Sequence, residues 1–139
     1  MSHAYTGGCA CRAIRYEITA EPVASNDCQC RQCQRQSGTG HSSYLSFAGA
    51  PVTVEGKAST WDVAGEGGTV KRCAFCPTCG SPVYLTFPDI PDLFIIRAGS
   101  LDEPARYKPE MVFWHSVAQP WDHVPPEATK FEKLPPRGG

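Results

Sequence analysis

Eight cysteines fall in three tight groups: Cys9-Ala10-Cys11, Cys28-Gln29-Cys30-Arg31-Gln32-Cys33, and Cys73-Ala74-Phe75-Cys76-Pro77-Thr78-Cys79-Gly80. Such close pairing suits a metal held by thiolates, because one short loop can aim two sulfurs at a point about 2.3 Å from a zinc ion. A disulfide framework would spread its cysteines to close long loops. Cys76-Pro77-Thr78-Cys79-Gly80 has the form of a zinc knuckle: Pro presets the turn, Gly accepts a positive φ, and backbone N–H groups turn toward the sulfurs. Side chains at i and i+2 of an extended segment share a face, so Cys9 and Cys11 converge if Gly8 opens such a segment. Joined, the two pairs make a closed four-thiolate site of the structural kind.

The middle group is different. Cys28 and Cys30 converge by the same i, i+2 rule, and Cys33 rejoins them if a helical turn begins near Arg31. Three protein ligands with an open fourth position are the pattern of a catalytic zinc. The plainer reading is a second closed site completed by a distant residue, for which Cys73 is the obvious candidate. Cys73 lies three residues before Cys76, so on a continuous strand it faces away from the knuckle. A small buried core residue is the reading we favour for it.

Ligand charge decides what an open three-thiolate zinc can do. Neutral imidazoles let zinc acidify water to a pKa of about 7. Three thiolates leave the centre formally negative and a weaker Lewis acid, which disfavours hydrolysis. A soft incoming thiol is the better fourth ligand, deprotonated by the metal yet still nucleophilic. Alkyl or hydroxyalkyl transfer to or from a small thiol follows.

The elements that must position these sulfurs are short. Thirteen glycines and thirteen prolines in 139 residues interrupt the chain too often for long helices. Ile14, Tyr16 and Ile18 alternate with Arg15, Glu17 and Thr19 as in a half-buried strand. Similar runs occupy 43–47, 52–55, 59–63, 69–75, 83–87, 93–98 and 110–114. Gly65-Glu66-Gly67-Gly68 reads as a hairpin loop and Asp89-Ile90-Pro91-Asp92 as a turn. One helix of a turn or two is expected from Arg31 to Gln36, ended by Gly38. Beyond Trp114 the Pro-rich chain reads as an irregular strap across the sheets. The class is all-β, one domain over 1–139.

Formal charge of −1 and a pI near 6.4 provide no basic field for nucleic acid or anionic lipid. No apolar run approaches the roughly 18 residues of a membrane span, and the N-terminus lacks a secretory signal, so the expected compartment is the cytoplasm. There thiols stay reduced, and clustered cysteines mean metal or catalysis.

The sequence resembles the glutathione-dependent formaldehyde-activating enzymes and their relatives in the centromere protein V group. The resemblance is carried by Thr6-Gly7-Gly8-Cys9-Ala10-Cys11, by Cys28 to Cys33 with Arg35-Gln36-Ser37-Gly38, and by Phe75-Cys76-Pro77-Thr78-Cys79-Gly80-Ser81. Pro104, Pro109, Pro120-Trp121 and Phe131-Glu132 extend it. It implies a β-tent fold of small antiparallel sheets around zinc, a structural zinc on Cys9, Cys11, Cys76 and Cys79, and a second, catalytic zinc on Cys28, Cys30 and Cys33. It also implies condensation of formaldehyde with glutathione to S-hydroxymethylglutathione, a carbon–sulfur lyase-type step. Three positions depart from the family: Gln29 stands where many members carry His, Arg12 where Gly is usual, and Cys73 where a polar residue is commoner.

Other residues carry weaker signals. His41 is read as a solvent-facing loop histidine in preference to a proton shuttle, and His115 and His123 as surface residues of the strap. Trp61, Trp114 and Trp121 are read as core or strap anchors before an aromatic cage. Arg31 and Arg35 either clamp the carboxylates of glutathione or are simply solvated. A non-catalytic, zinc-stabilised binding module is the alternative function; a chromatin role is disfavoured by the near-zero charge.

Overall fold

The short, Gly- and Pro-bounded runs do form strands. The computed structural model describes residues 3–135. In chain order the strands are β1 (Tyr5–Gly8), β2 (Arg15–Ile18), β3 (Ala24–Cys28), β4 (Ser42–Ala48), β5 (Val52–Glu55) and β6 (Ser59–Ala64). They continue with β7 (Val70–Phe75), β8 (Pro82–Thr86), β9 (Leu93–Arg97), β10 (Met111–Phe113) and β11 (Thr129–Lys130). One α-helix, α1, covers Arg31–Ser37 among the described residues. The all-β class is borne out.

β1, β2 and β5 make a three-stranded antiparallel sheet, and the remaining strands make an eight-stranded sheet in the order β11-β10-β3-β4-β9-β8-β7-β6. Most of the large sheet is antiparallel, but β10 runs parallel to both β3 and β11. The strap therefore ends as an edge strand. The predicted hairpin at 65–68 closes with Gly65 N–H on Thr69 O at 3.0 Å, and the 89–92 turn with Leu93 N–H on Ile90 O at 3.0 Å.

Strand alternation divides the large sheet into two faces. Leu45, Ile96 and Tyr84 stand in register across β4, β9 and β8 and pack with Phe47 against Tyr16 and Ile18 of the small sheet. Their chain neighbours Tyr44, Ile95 and Leu85 point the other way. There they meet Cys28, Cys33 and Trp114. Cys9 and Cys76 belong to the first cluster and Cys28 and Cys33 to the second, so each face carries one cysteine set.

β1 can lie so close to its neighbours only because Gly7 and Gly8 have no Cβ. A Cβ on Gly8 would stand 2.0 Å from the carbonyl oxygen of Ile14, and one on Gly7 2.3 Å from that of Ser100. Backbone cannot retreat cheaply. Gly8→Ala is therefore expected to destabilise the fold by about 3 kcal/mol or more, read as a lowered thermal midpoint.

Candidate metal centres

Cys9 and Cys11 meet differently from the extended segment the sequence suggests. β1 ends at Gly8, and the chain turns: Cys9 N–H bonds Ile14 O at 3.1 Å and Arg12 N–H bonds Cys9 O at 3.2 Å. Arg12 closes this turn at φ +69°. The left-handed region costs a non-glycine residue roughly 1–2 kcal/mol, which accounts for glycine being usual there in the resembling family. The knuckle ends as predicted, with Gly80 at φ +78° donating its N–H to Cys76 O.

The turn and the knuckle bring Cys9, Cys11, Cys76 and Cys79 together with all four sulfurs within 4.8 Å of one another. The Cys9–Cys11 and Cys11–Cys76 Sγ separations are both 3.7 Å. A tetrahedron of sulfurs about 2.3 Å from a central zinc has edges of about 3.8 Å. The donor set thus fits a tetrahedral, thiolate-seeking ion. Backbone N–H groups of Ile14, Thr78 and Cys79 donate to these sulfurs at 3.2 to 3.5 Å. The pKa of Cys79 is drawn down to about 5 by hydrogen bonds from the Ser81 hydroxyl and backbone, which favours its thiolate.

The second set is Cys28, Cys30 and Cys33, again within 4.8 Å, and no fourth cysteine, histidine or carboxylate joins it among the described residues. β3 delivers Cys28, the backbone stays extended through Cys30 at φ −66°, ψ 156°, and α1 begins at Arg31. Cys30 is the N-cap, its sulfur accepting from Cys33 N–H at 3.3 Å. Gly38, at φ +77°, ends the helix as predicted. The three sulfurs are too crowded to ionise together. Hydrogen bonds from Cys28 and Cys30 hold Cys33 well below the ordinary thiol range, while those same contacts and burial push Cys28 up. All eight cysteines are free of disulfides.

Cys73 joins neither set. Buried on β7 opposite Leu85, it shares the face of the three-cysteine set and accepts from Gln36 Nε2 at 3.3 Å. Gln36 Oε1 in turn accepts from Arg97, whose Nη1 donates to the Tyr44 hydroxyl at 3.2 Å. The Tyr44 oxygen lies 3.1 Å from Cys33 Sγ. A buried guanidinium thus stands one hydroxyl away from the thiol cluster. No local pattern marks Gln36 or Arg97 for this place, whereas strand parity does put Tyr44 on the face opposite Leu45 and Phe47. Tyr44→Phe removes that hydroxyl alone. We expect it to weaken metal retention by the three-cysteine set by roughly 10- to 100-fold, measured by chelator competition, with the four-cysteine set unchanged.

The loop histidine is a correction. His41 is half-buried, its Nδ1–H donating to Asp122 at 2.9 Å and its Nε2 3.6 Å from Asp27. Both carboxylate side chains are buried, 4% exposed for Asp27 and 6% for Asp122. Two acids far apart in sequence hold one imidazole, which spacing could not reveal. Gln29, fully buried, turns away from the sulfurs: its Nε2 donates to Asp122 at 2.9 Å and its Oε1 accepts from His115 at 2.8 Å. Gln34 Nε2 reaches Val117 O at 3.3 Å, so the strap is tied to the Cys28–Cys33 loop. His115 and His123 are exposed, as expected of strap residues.

Arg31 and Arg35 are exposed on α1, and Arg31 bonds Gln34. Trp61 and Trp121 are exposed and Trp114 packs at the three-cysteine cluster, with no ring contact between tryptophans among the described residues. Among the described residues no helix is long and apolar enough to cross a membrane.

Comparison with known proteins agrees with this arrangement. The crystal structure of a Rhodobacter sphaeroides protein is similar in fold, with a TM-score of 0.53 at 19% identity, covering 70% of this chain and 87% of that one. No curated protein matches. A model of the glutathione-dependent formaldehyde-activating enzyme matches residues 4–117, which takes in both cysteine sets. By that match over most of its length, the chain belongs to the glutathione-dependent formaldehyde-activating enzyme family.

Proposed function

We propose that this chain is a zinc-dependent, carbon–sulfur lyase-type enzyme acting on adducts of a small thiol, with S-hydroxymethylglutathione formation from glutathione and formaldehyde as its model reaction. The observation that carries the reading is the inequality of the two sulfur sets, four donors against three on opposite faces of one sheet. We assign the four, Cys9, Cys11, Cys76 and Cys79, to a structural zinc. Cys28, Cys30 and Cys33 would hold the second. Zinc bound there supplies a position at which an incoming thiol gives up its proton and stays nucleophilic.

The chain's own groups set the character of that position. Three thiolates withhold Lewis acidity and so disfavour hydrolysis. Arg97, relayed by Tyr44 to Cys33, offsets part of their charge. Phe87, Ile95, Phe113 and Trp114 pack against the cluster and exclude water from its flank. Addition of a thiol to formaldehyde needs no redox partner: a carbon–sulfur bond forms, the carbonyl π bond opens, and the thiol proton ends on oxygen.

Cobalt substitution tests the reading. Thiolate charge-transfer bands from the three-cysteine set should change saturably on adding glutathione. Bands unmoved by millimolar thiol would sink the enzyme and leave a zinc-stabilised binding module.

A further inference from the structure

At the end of the large sheet where β4 and β8 begin and β9 ends lies a cavity of about 740 Å³. Its wall holds three arginines, Arg12, Arg15 and Arg97, against a single carboxylate, Asp102. Arg15 takes both oxygens of Asp102 and neutralises it. Arg12 and Arg97 form no ion pair among the described residues. In a chain of net charge −1, two cations without a carboxylate partner therefore face one space.

Each is held there against a cost. Arg97 is 7% exposed, and its Nε has no hydrogen-bond partner. Its Nη atoms donate to Ser42, Tyr44 and Gln36, all formally neutral acceptors, so the buried charge gains from an anion that reaches it. Arg12 occupies a left-handed backbone position that glycine would fill without strain. Strain at a residue that lines a cavity points to a role for its side chain there. The rest of the wall includes six serine and threonine residues, whose hydroxyls can complete the hydrogen bonds of a polar group.

We propose that this cavity binds a small oxyanion, a carboxylate or phosphate group, with Arg12 and Arg97 as its cationic partners. The cavity borders both cysteine sets, with Cys9 in its wall and Arg97 reaching Cys33 through Tyr44, but anion binding there does not depend on the reaction proposed above. A carboxylate carried by a peptide thiol and a free anion share this chemistry. The test separates them.

Metal-loaded protein would be titrated calorimetrically with inorganic phosphate and, separately, with S-methylglutathione, whose blocked sulfur offers no thiolate to a metal. Saturable binding of either supports the site, and the probe that binds names the source. Arg12→Asn should weaken that binding about tenfold or more, the effect of losing a charge-assisted contact. Its thermal midpoint should hold or rise, since Asn tolerates left-handed backbone. Arg12→Lys should restore part of the affinity. Arg97→Gln should abolish binding; if it fails to fold, the Arg12 pair decides alone. The site is refuted if neither probe saturates at millimolar concentration. It is equally refuted if Arg12→Asn binds like wild type but sheds metal faster, for then Arg12 merely balances the nearby thiolates.

Discussion

Cys30→Ser is expected to abolish exchange between formaldehyde and glutathione, by at least about a hundredfold, while leaving the fold and one tightly held metal in place. The size follows from the proposed role of Cys30 as a direct ligand, since second-sphere changes alone cost about 10- to 100-fold. The selectivity follows from geometry. Cys30 is only half-buried, and its other task is to cap α1 by accepting Cys33 N–H. Serine is a preferred N-cap, so the helix keeps its start. Metal analysis should fall from two ions per chain to one, with the circular dichroism spectrum and thermal midpoint close to wild type. A parallel collapse of stability and activity would instead mark Cys30 as a structural ligand, and the enzyme reading would fail with it.

Cys76→Ser should do the opposite and prevent folding. Cys76 is wholly buried, receives two knuckle N–H groups, and sits in the cluster shared by Tyr16, Phe47 and Ile96. The set to which it belongs joins the turn after β1 to the turn before β8. A structural zinc contributes about 10–16 kcal/mol to folding, whereas a domain of this size retains only about 5–15 kcal/mol in all. Losing a buried ligand consumes that margin. The expected result is an insoluble or unfolded chain, seen as collapsed amide dispersion in a proton–nitrogen spectrum. A dispersed spectrum near the wild-type pattern would refute a structural metal at this site.

The two sulfur groupings were legible because their information is local. Cys-Pro-Thr-Cys-Gly prescribes its own turn, and Cys28, Cys30 and Cys33 need only an extended step followed by a helical one, which the backbone supplies at Arg31. Cys9 and Cys11 come together although the local geometry is a turn, since both conformations bring i and i+2 sulfurs together. β3 was not legible. Its sequence, Ala-Ser-Asn-Asp-Cys, has no apolar alternation, yet Ser25, Asn26 and Asp27 are buried. Tertiary partners make this tolerable: Ser25 donates to Lys108 O, and Asp27 accepts from Ser43 and Tyr107. The grip of Asp27 and Asp122 on His41 and the placing of Arg97 beneath Tyr44 likewise depend on residues tens of positions apart. Periodicity carries no information of that range.

The parallel docking of β10 beside β3 bears on how the nascent polypeptide matures. Residues 24–28 emerge early from the ribosome, but their outer hydrogen-bonding edge stays bare until residues 111–113 have been translated. Cys28 lies opposite Phe113 in that pairing, and the backbone N–H of Gln29 waits for the Phe113 carbonyl. An unprotected edge of this kind invites aggregation. Ribosome-stalled chains ending before residue 111 should accordingly need chaperone cover, and their Cys28–Cys33 loop should settle only after synthesis is nearly complete.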